Sequence, residues 1–479
     1  MSKRTSLAGA TAIALATVLI APSGAAGAPG EGGDGIRNVI PITEVLAFGQ
    51  KVTAVAVEYS STVNPRDLSR DTFTVSDSLY NFRFNPVSDL TDPTKRANRT
   101  ITAVYTNDAP ALEADKKSDP GKYVIIELDP KDPGGNTVMA DGRHVKVIAD
   151  LQTRVVQEKA VHAQPGNGQG HGPTLAPGST EERGVTQPAI NLLADDFVYK
   201  RYTSTNGTLL PYAYHLPDGY DPAKKYPLVV ILPGHGMGYN GSNEGVQVAA
   251  DIPATAWQQE KWTGTKERVI VLAPQNQRIG TPDAQAAVMI ELLNKFISEF
   301  SVDQDRIYNS TVSYGSTLAW SALTSHPGLF DGSLITGGFG ASEAQAATIA
   351  NSGSPVWITH GTGDHLLNVI TTGQASYNRI WNAYIALGKT PPSRTRWSST
   401  PSTPTRRSTS RTATWPPRPP TRTRPSCGGC CPSEAPSLTP DPDSRPDPRP
   451  STSGFRLLVG GGSARRESRT GQFRDLQRP

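Results

Sequence analysis

The stretch Arg306–Trp320, RIYNSTVSYGSTLAW, passes from a short β-branched run into a run of small residues, with Ser313 at the junction. A serine on a tight strand-to-helix corner lifts its hydroxyl above the end of a parallel sheet, where it can attack a carbonyl carbon. The corner asks for small residues two places to either side. Gly315 supplies one, and Thr311 stands where glycine is usual. Taken alone, the pattern suits an ordinary turn serine equally well. A nucleophilic serine also needs oxyanion donors, an acid and an imidazole.

Candidates for two of these are present. YPLVVILPGHGMGYNGSNE leaves an apolar strand into a loop where Gly234, Gly236 and Gly238 let the backbone approach a ligand. The backbone N–H of His235, with that of Tyr314 after the serine, would hold a tetrahedral oxyanion. The alternative is a glycine-rich turn with no ligand. A dinucleotide loop is disfavoured, because no G-x-G-x-x-G opens a helix here. SPVWITHGTGDHLLNV places Asp364 in the loop after another apolar strand, in the acid's expected chain order after the nucleophile. Its alternative role is to cap the following helix.

Elements of the right kind surround these residues. From 191 to 390, PLVVIL, RVIVLAP, RIYNSTV, GSLITGG and SPVWITH are continuous apolar runs, the signature of parallel strands buried on both faces. Helical patterns lie between them. The clearest begins at Pro282, with Val288, Ile290, Leu292, Phe296 and Ile297 spread along one side. This predicts an α/β domain with a mostly parallel sheet and helices on both faces. Residues 37–155 read as short alternating strands between turn formers, which predicts an all-β sandwich with no catalytic set. Residues 156–190 read as a Gly/Pro linker. A metal bound by His162 and His171 is the lesser reading there.

LLPYAYHLPDGYDPAKKYPLVVILPGHG, RVIVLAPQ, DQDRIYNSTVSYGS and THGTGD, in that order, resemble the secreted α/β-hydrolase esterases and predicted peptidases with an N-terminal Ig-like domain. Those are related to polyhydroxybutyrate-depolymerase-like and feruloyl-esterase-like proteins. VTAVAVEYSSTVNPRDLSRDTFTV is similar to the start of that N-terminal domain. The resemblance runs from about residue 37 to about 390. It implies Ser313 as nucleophile, Asp364 as acid, and His235 and Tyr314 as oxyanion donors. Pro233, where His is usual, and Thr311 depart from the pattern without removing a reacting group.

The triad histidine is not identifiable in the chain. It should follow Asp364 beyond one more strand, yet the only later histidine is His365, beside the acid. His360 is expected at the end of a buried strand, His326 at a helix end, and His215 and His144 in strands. Each reads as structural. From residue 391 the composition collapses to Arg, Pro, Ser and Thr, with Cys427, Cys430 and Cys431. Such a segment buries no core and is expected to be disordered. Its residue types are those of GC-rich codons read out of frame. A shifted reading can turn RTRWSSTPST into Asp-Ala-Leu-Val-Glu-Tyr-Thr-Val-Tyr, a strand. It can turn the stretch from RTATW into His-Arg-Asp-Leu-Ala-Ala-Glu, a histidine followed by a helix-like run. We therefore expect a frameshift near residues 388–394, with the strand and helix of the fold lost to the tail. The rival is a genuine basic tail binding an anionic surface. A CGGCC metal or redox site is disfavoured, having no accompanying histidine.

The bulk numbers fit an exported enzyme. Residues 1–28 have the form of a signal peptide: Lys3 and Arg4, an apolar run Leu7–Ile20, then small residues at a cleavage site near Ala26–Ala28. No segment is long enough for a comfortable membrane span. The net charge of +4 hides a tail (391–479) at +10 and a remainder at −6, so no nucleic-acid footprint is expected. No cofactor or metal is expected, and no motif fixes an oligomeric state. The expected function is a secreted serine esterase acting on an ester substrate, polymeric or plant-derived, and impaired as written. The alternatives are a peptidase of the same fold or a non-catalytic Ig-like binding protein with an inactive hydrolase domain.

Overall fold

The computed structural model describes residues 35–79, 95–140, 146–166, 170, 172–277, 280–392 and 395–400. Residues 1–28 (the expected signal peptide), His144, His171, the three cysteines and the tail beyond Thr400 lie outside them.

The N-terminal strands are β1 (Ile36–Leu46), β2 (Gly49–Tyr59), β3 (Phe73–Ser78), β4 (Arg96–Asn98), β5 (Ile101–Asn107), β6 (Tyr123–Leu128), β7 (Val138–Ala140), β8 (Lys146–Ile148), β9 (Arg154–Gln157), β10 (Val161–His162), β11 (Thr174–Ala176), β12 (Arg183–Gly184) and β13 (Ile190–Leu192). Two sheets face each other, ordered β13-β1-β2-β6-β5 and β12-β9-β3-β4, with β7-β8 and β10-β11 as separate hairpins. Alternation along β2 explains the sandwich. Val55 and Val57 enter one apolar cluster with Phe73, Val75 and Val155, while Ala54 and Ala56 enter another with Tyr105 and Ile125.

The expected linker is corrected here. Residues 156–190 contribute strands to the sandwich rather than simply leaving it: β12 pairs with β9, β11 with β10, and β13 runs parallel to β1. The Gln157 amide donates to the Ala176 and Pro177 carbonyls at 3.1 and 3.2 Å. These strands are two or three residues long and held by backbone groups, so no hydrophobic period marks them. His162 packs its Nδ1 against the Asp67 carboxylate at 2.9 Å, and no metal-holding cluster is found among the described residues.

The second domain is an eight-stranded sheet ordered β14-β15-β17-β16-β18-β19-β20-β21. Its strands are β14 (Val198–Thr203), β15 (Leu209–His215), β16 (Tyr226–Leu232), β17 (Ile270–Pro274), β18 (Val302–Val312), β19 (Gly332–Thr336), β20 (Val356–Gly361) and β21 (Arg396–Thr400). Only β15 runs against the others, antiparallel to both β14 and β17, and every other pairing is parallel. The helices are α1 (Val246–Ala249), α2 (Pro253–Ala256), α3 (Glu260–Thr263), α4 (Pro282–Glu299), α5 (Gly315–Ser325), α6 (Glu343–Ser352) and α7 (Ala375–Ala386). Strand β16 shows why both faces are covered. Leu228, Val230 and Leu232 pack with residues of α4 to α7, whereas Val229 and Ile231 pack with Val248, Ala254 and Val45. Helix α4 starts as read: Pro282 sits in its first turn and Thr281 caps it by accepting from the Ala284 N–H at 3.2 Å.

A second correction concerns the sheet's end. The tail was expected to begin at 391 and to leave β20 as an open edge, but Arg396–Thr400 pair with it as β21. A ladder needs backbone groups, which this segment has whatever its side chains. Trp397 packs against the main core, and the Arg396 guanidinium lies 5.9 Å from the Trp357 ring. The face beside them is poorly covered: Trp357, pointing opposite Ile358, is 44% exposed on a strand of the parallel sheet.

Candidate active site

Ser313 ends β18 in a left-handed conformation, φ 52°, one of only three such non-glycine residues described. A serine pays a steric cost there. Three contacts impose it. The Ser313 N–H donates to Thr336 O on β19 at 3.0 Å, and the Ser316 N–H donates to Ser313 O at 3.0 Å. The Ser316 hydroxyl also donates to Ser313 O, at 2.7 Å, and accepts from the Phe339 N–H at 2.8 Å. Gly315 is required: a Cβ there would lie 2.0 Å from the Leu232 carbonyl oxygen. Thr311 is not under that demand. It lies within β18, opposite Leu232 and Ile335, and is fully buried. The corner's steric limit therefore falls on the glycine after the serine.

His235 opens a 3-10 turn, His235–Met237, directly after β16 and Pro233. Gly234 brings this turn against the corner: a Cβ on it would lie 3.4 Å from Ser313 Cβ. Tyr314 precedes α5, and its ring meets that of His235 edge-on at 5.5 Å. The N-terminal end of such a turn gathers backbone N–H donors. A shallow cleft is lined by Pro233, His235, Asn276, Gln285 and Tyr314 among others. The structure thus brings Ser313, His235 and Tyr314 together.

Asp364 lies two strands from the serine, in the loop after β20. Its Oδ2 is 3.9 Å from where a Cβ on Gly337 would be, and Gly337 directly follows Thr336, the partner of Ser313. Strand β19 lies between β18 and β20, so two strand spacings of about 4.8 Å separate the strand ends that carry Ser313 and Asp364. The capping alternative does not form: Oδ1 accepts from the Leu366 and Leu367 N–H groups at 2.9 and 3.0 Å in a turn, while the next helical segment, Ile370–Gln374, has its first amides on Asn368 Oδ1. The other oxygen, Oδ2, meets His360 Nε2 at 3.1 Å.

His360 is therefore more than a strand-end residue. It is 2% exposed, and its Nε2 also faces Leu367 O at 2.9 Å. Both acceptors face Nε2, while Nδ1 is buried beside Gly373 with no hydrogen-bond partner. His365 is exposed, His326 ends α5 with Nδ1 on the Ser325 hydroxyl, and burial beside Phe197 lowers the His215 pKa. Among the described residues no histidine joins Ser313 to Asp364.

The reading of the sequence missed the residues that hold the loops. The Gln275 amide donates to Met237 O and Asn243 O at 3.1 and 2.9 Å, and the Gln285 amide donates to the Tyr314 hydroxyl at 3.2 Å. The signal available was the buried polar run Gln275-Asn276 directly after a strand of purely apolar residues.

An N-terminal Ig-like sandwich followed by a domain of α/β-hydrolase fold is what these elements and this corner define. Residues 38–168 match the family described as the esterase Ig-like N-terminal domain. Among solved structures, the chain is similar to a thermostable esterase, 24% identical with a TM-score of 0.62, over 76% of this chain and 91% of that one. It is also similar to a feruloyl esterase module from Clostridium thermocellum complexed with sinapinate (19% identity, TM-score 0.35, 43% of this chain and 81% of that one). A third similar structure is the Pyrococcus horikoshii acylaminoacyl peptidase (14%, 0.34, 58% and 46%). No curated protein matches the sequence. The first likeness shows the fold, and the family match identifies the sandwich.

Proposed function

We propose that the chain is a secreted serine hydrolase of carboxylic esters, acting through an acyl-enzyme on Ser313 and impaired as written because its triad histidine is missing. The observation that carries the reading is the strained Ser313 corner, which the fold maintains at a cost and faces with the His235 turn. In the intact reaction Ser313 Oγ attacks the ester carbonyl carbon and its proton passes to an imidazole. The carbonyl oxygen takes the negative charge against the His235 and Tyr314 N–H groups. The alkoxide leaves with the proton from the imidazole, and water then cleaves the acyl-serine by the same route. Asp364 would orient that imidazole.

A shifted reading frame near residues 388–394 accounts for the missing group, and export accounts for the form of residues 1–28. The nucleotide sequence around codon 390 tests the first. A second reading that yields strand, histidine and helix supports it, and a frame closed by stop codons would contradict it. Turnover of a p-nitrophenyl ester by the as-written and frame-restored proteins tests the function. The restored protein should be the faster by orders of magnitude. Oxyanion donors alone leave an acceleration of about 10³–10⁴ over water.

A further inference from the structure

The Ig-like domain reaches the Ser313 site. Val138, on β7, is 1% exposed and packs with Met237, Val246, Ala249 and Ala250 of the second domain. Met237 closes the turn that His235 opens. Its terminal methyl is 3.3 Å from where a Cβ on Gly234 would lie, and that same point is 3.4 Å from Ser313 Cβ. Met237 thus shares an apolar cluster with Val138 and also reaches the Gly234–Ser313 contact.

A second contact runs parallel to it. The Asn243 amide donates to the Lys146 carbonyl on β8 at 3.1 Å and to Gly238 O at 3.0 Å. It thus ties the strand of one domain to the loop of the other. The Lys146 ammonium and the Asp251 carboxylate, between α1 and α2, attract across the same junction; burial lowers the first pKa and raises the second, each against the other's charge. From the opposite side Gln275 holds Met237 O and Asn243 O. A three-residue 3-10 turn has almost no ladder of its own, so its rigidity must come from such neighbours.

We propose that the β7–β8 hairpin of the Ig-like domain is a positioning element of the Ser313 site, with Val138 and the Lys146 carbonyl fixing the turn that presents the His235 N–H. Oxyanion donors act by being held in place before charge develops, so a loosened turn loses its value without losing its chemistry. This rests on the proposed role of His235, but the coupling between hairpin and turn does not depend on hydrolysis.

The test is hydrogen–deuterium exchange on the full-length chain, read on peptides spanning residues 234–246. Val138→Ala removes the methyl groups against Met237, and Val138→Thr keeps their shape should the alanine variant fail to fold. Val75→Ala is the control, an equally buried site in the sandwich core that does not touch Met237. Val138→Ala should speed exchange in this segment at least about tenfold, Val138→Thr less, and Val75→Ala should leave it unchanged. In the frame-restored enzyme Val138→Ala should lower kcat with KM unchanged. Unchanged exchange in both Val138 variants would overturn the proposal, as would equal acceleration by Val75→Ala. Absence of Ser313-dependent turnover alongside accelerated exchange would instead sink the esterase reading and leave the coupling standing.

Discussion

At the scale of single residues, the corner separates strain from steric necessity. Ser313 holds φ 52°, which glycine adopts freely and serine does not. Ser313→Gly should therefore keep or raise thermal stability, by up to about 1 kcal/mol, while Ser313→Ala gains nothing; both should end acyl-enzyme formation. Gly315→Ala should cost about 3 kcal/mol or more, because its Cβ would lie 2.0 Å from a backbone carbonyl oxygen in the middle of the sheet. Chemical denaturation of the three variants checks both. Ser313, His235, Tyr314 and Asp364 could be singled out as candidates because their motifs are local in sequence. His360 was not read as the acid's partner, since nothing in the residue types says that a strand-end imidazole will turn onto a carboxylate four residues later. Gln275 and Ser316 were invisible for a related reason: their partners lie on other elements.

At the scale of elements, the sandwich is pinned by a charged centre. Arg99, 5% exposed, donates to Asp77 at 2.6 Å, to Asp132 at 3.3 Å, and to the Val52 and Asp129 carbonyls, both at 3.1 Å. Burial pushes the Asp77 carboxyl up and Arg99 opposes it. Arg99→Met should cost about 3–5 kcal/mol by leaving Asp77 buried without its counter-charge, and Asp77→Asn added to it should recover part of the loss. Urea titration of the single and double variants measures it. Acid sensitivity has a different origin. Burial works against ionised Glu58, but Asn38 and Lys122 outweigh it; burial works against Asp132, but Thr100 and Arg99 outweigh it. Both pKa values are lowered on folding from 4.5 and 3.8. The stability they contribute is complete above those values and is lost as pH falls through the lower folded ones. The melting temperature should therefore fall between about pH 5 and pH 3, less steeply in Glu58→Gln/Asp132→Asn. The long strands and α4 were readable from periodicity and a proline start. The segments β10 to β13 were not, because two- or three-residue strands carry no period and Gly/Pro composition argues the other way.

At the scale of the whole molecule, the sandwich ends near Leu192. Residues 35–192 should fold alone, whereas a cut at 160 removes β10 to β13, strips β1 and β9 of neighbours, and should give a less stable fragment; circular dichroism melts of the two decide it. Domain order and fold class were legible, since apolar runs alternating with helical patterns leave few architectures. The end of the sheet was not: β21 is built from Arg396–Thr400, a segment whose composition argues against any buried strand. The exposed face of Trp357 beside it is where a further helix would gain most, so the frame-restored protein should melt higher and aggregate less than the as-written one. The most direct measurement is the mass of the acyl-enzyme. Frame-restored protein, quenched in acid during turnover of a p-nitrophenyl ester, should carry one acyl group on the peptide containing Ser313, and Ser313→Ala should carry none. An acyl group on another residue, or full turnover by Ser313→Ala, would contradict the assignment of this serine as the nucleophile.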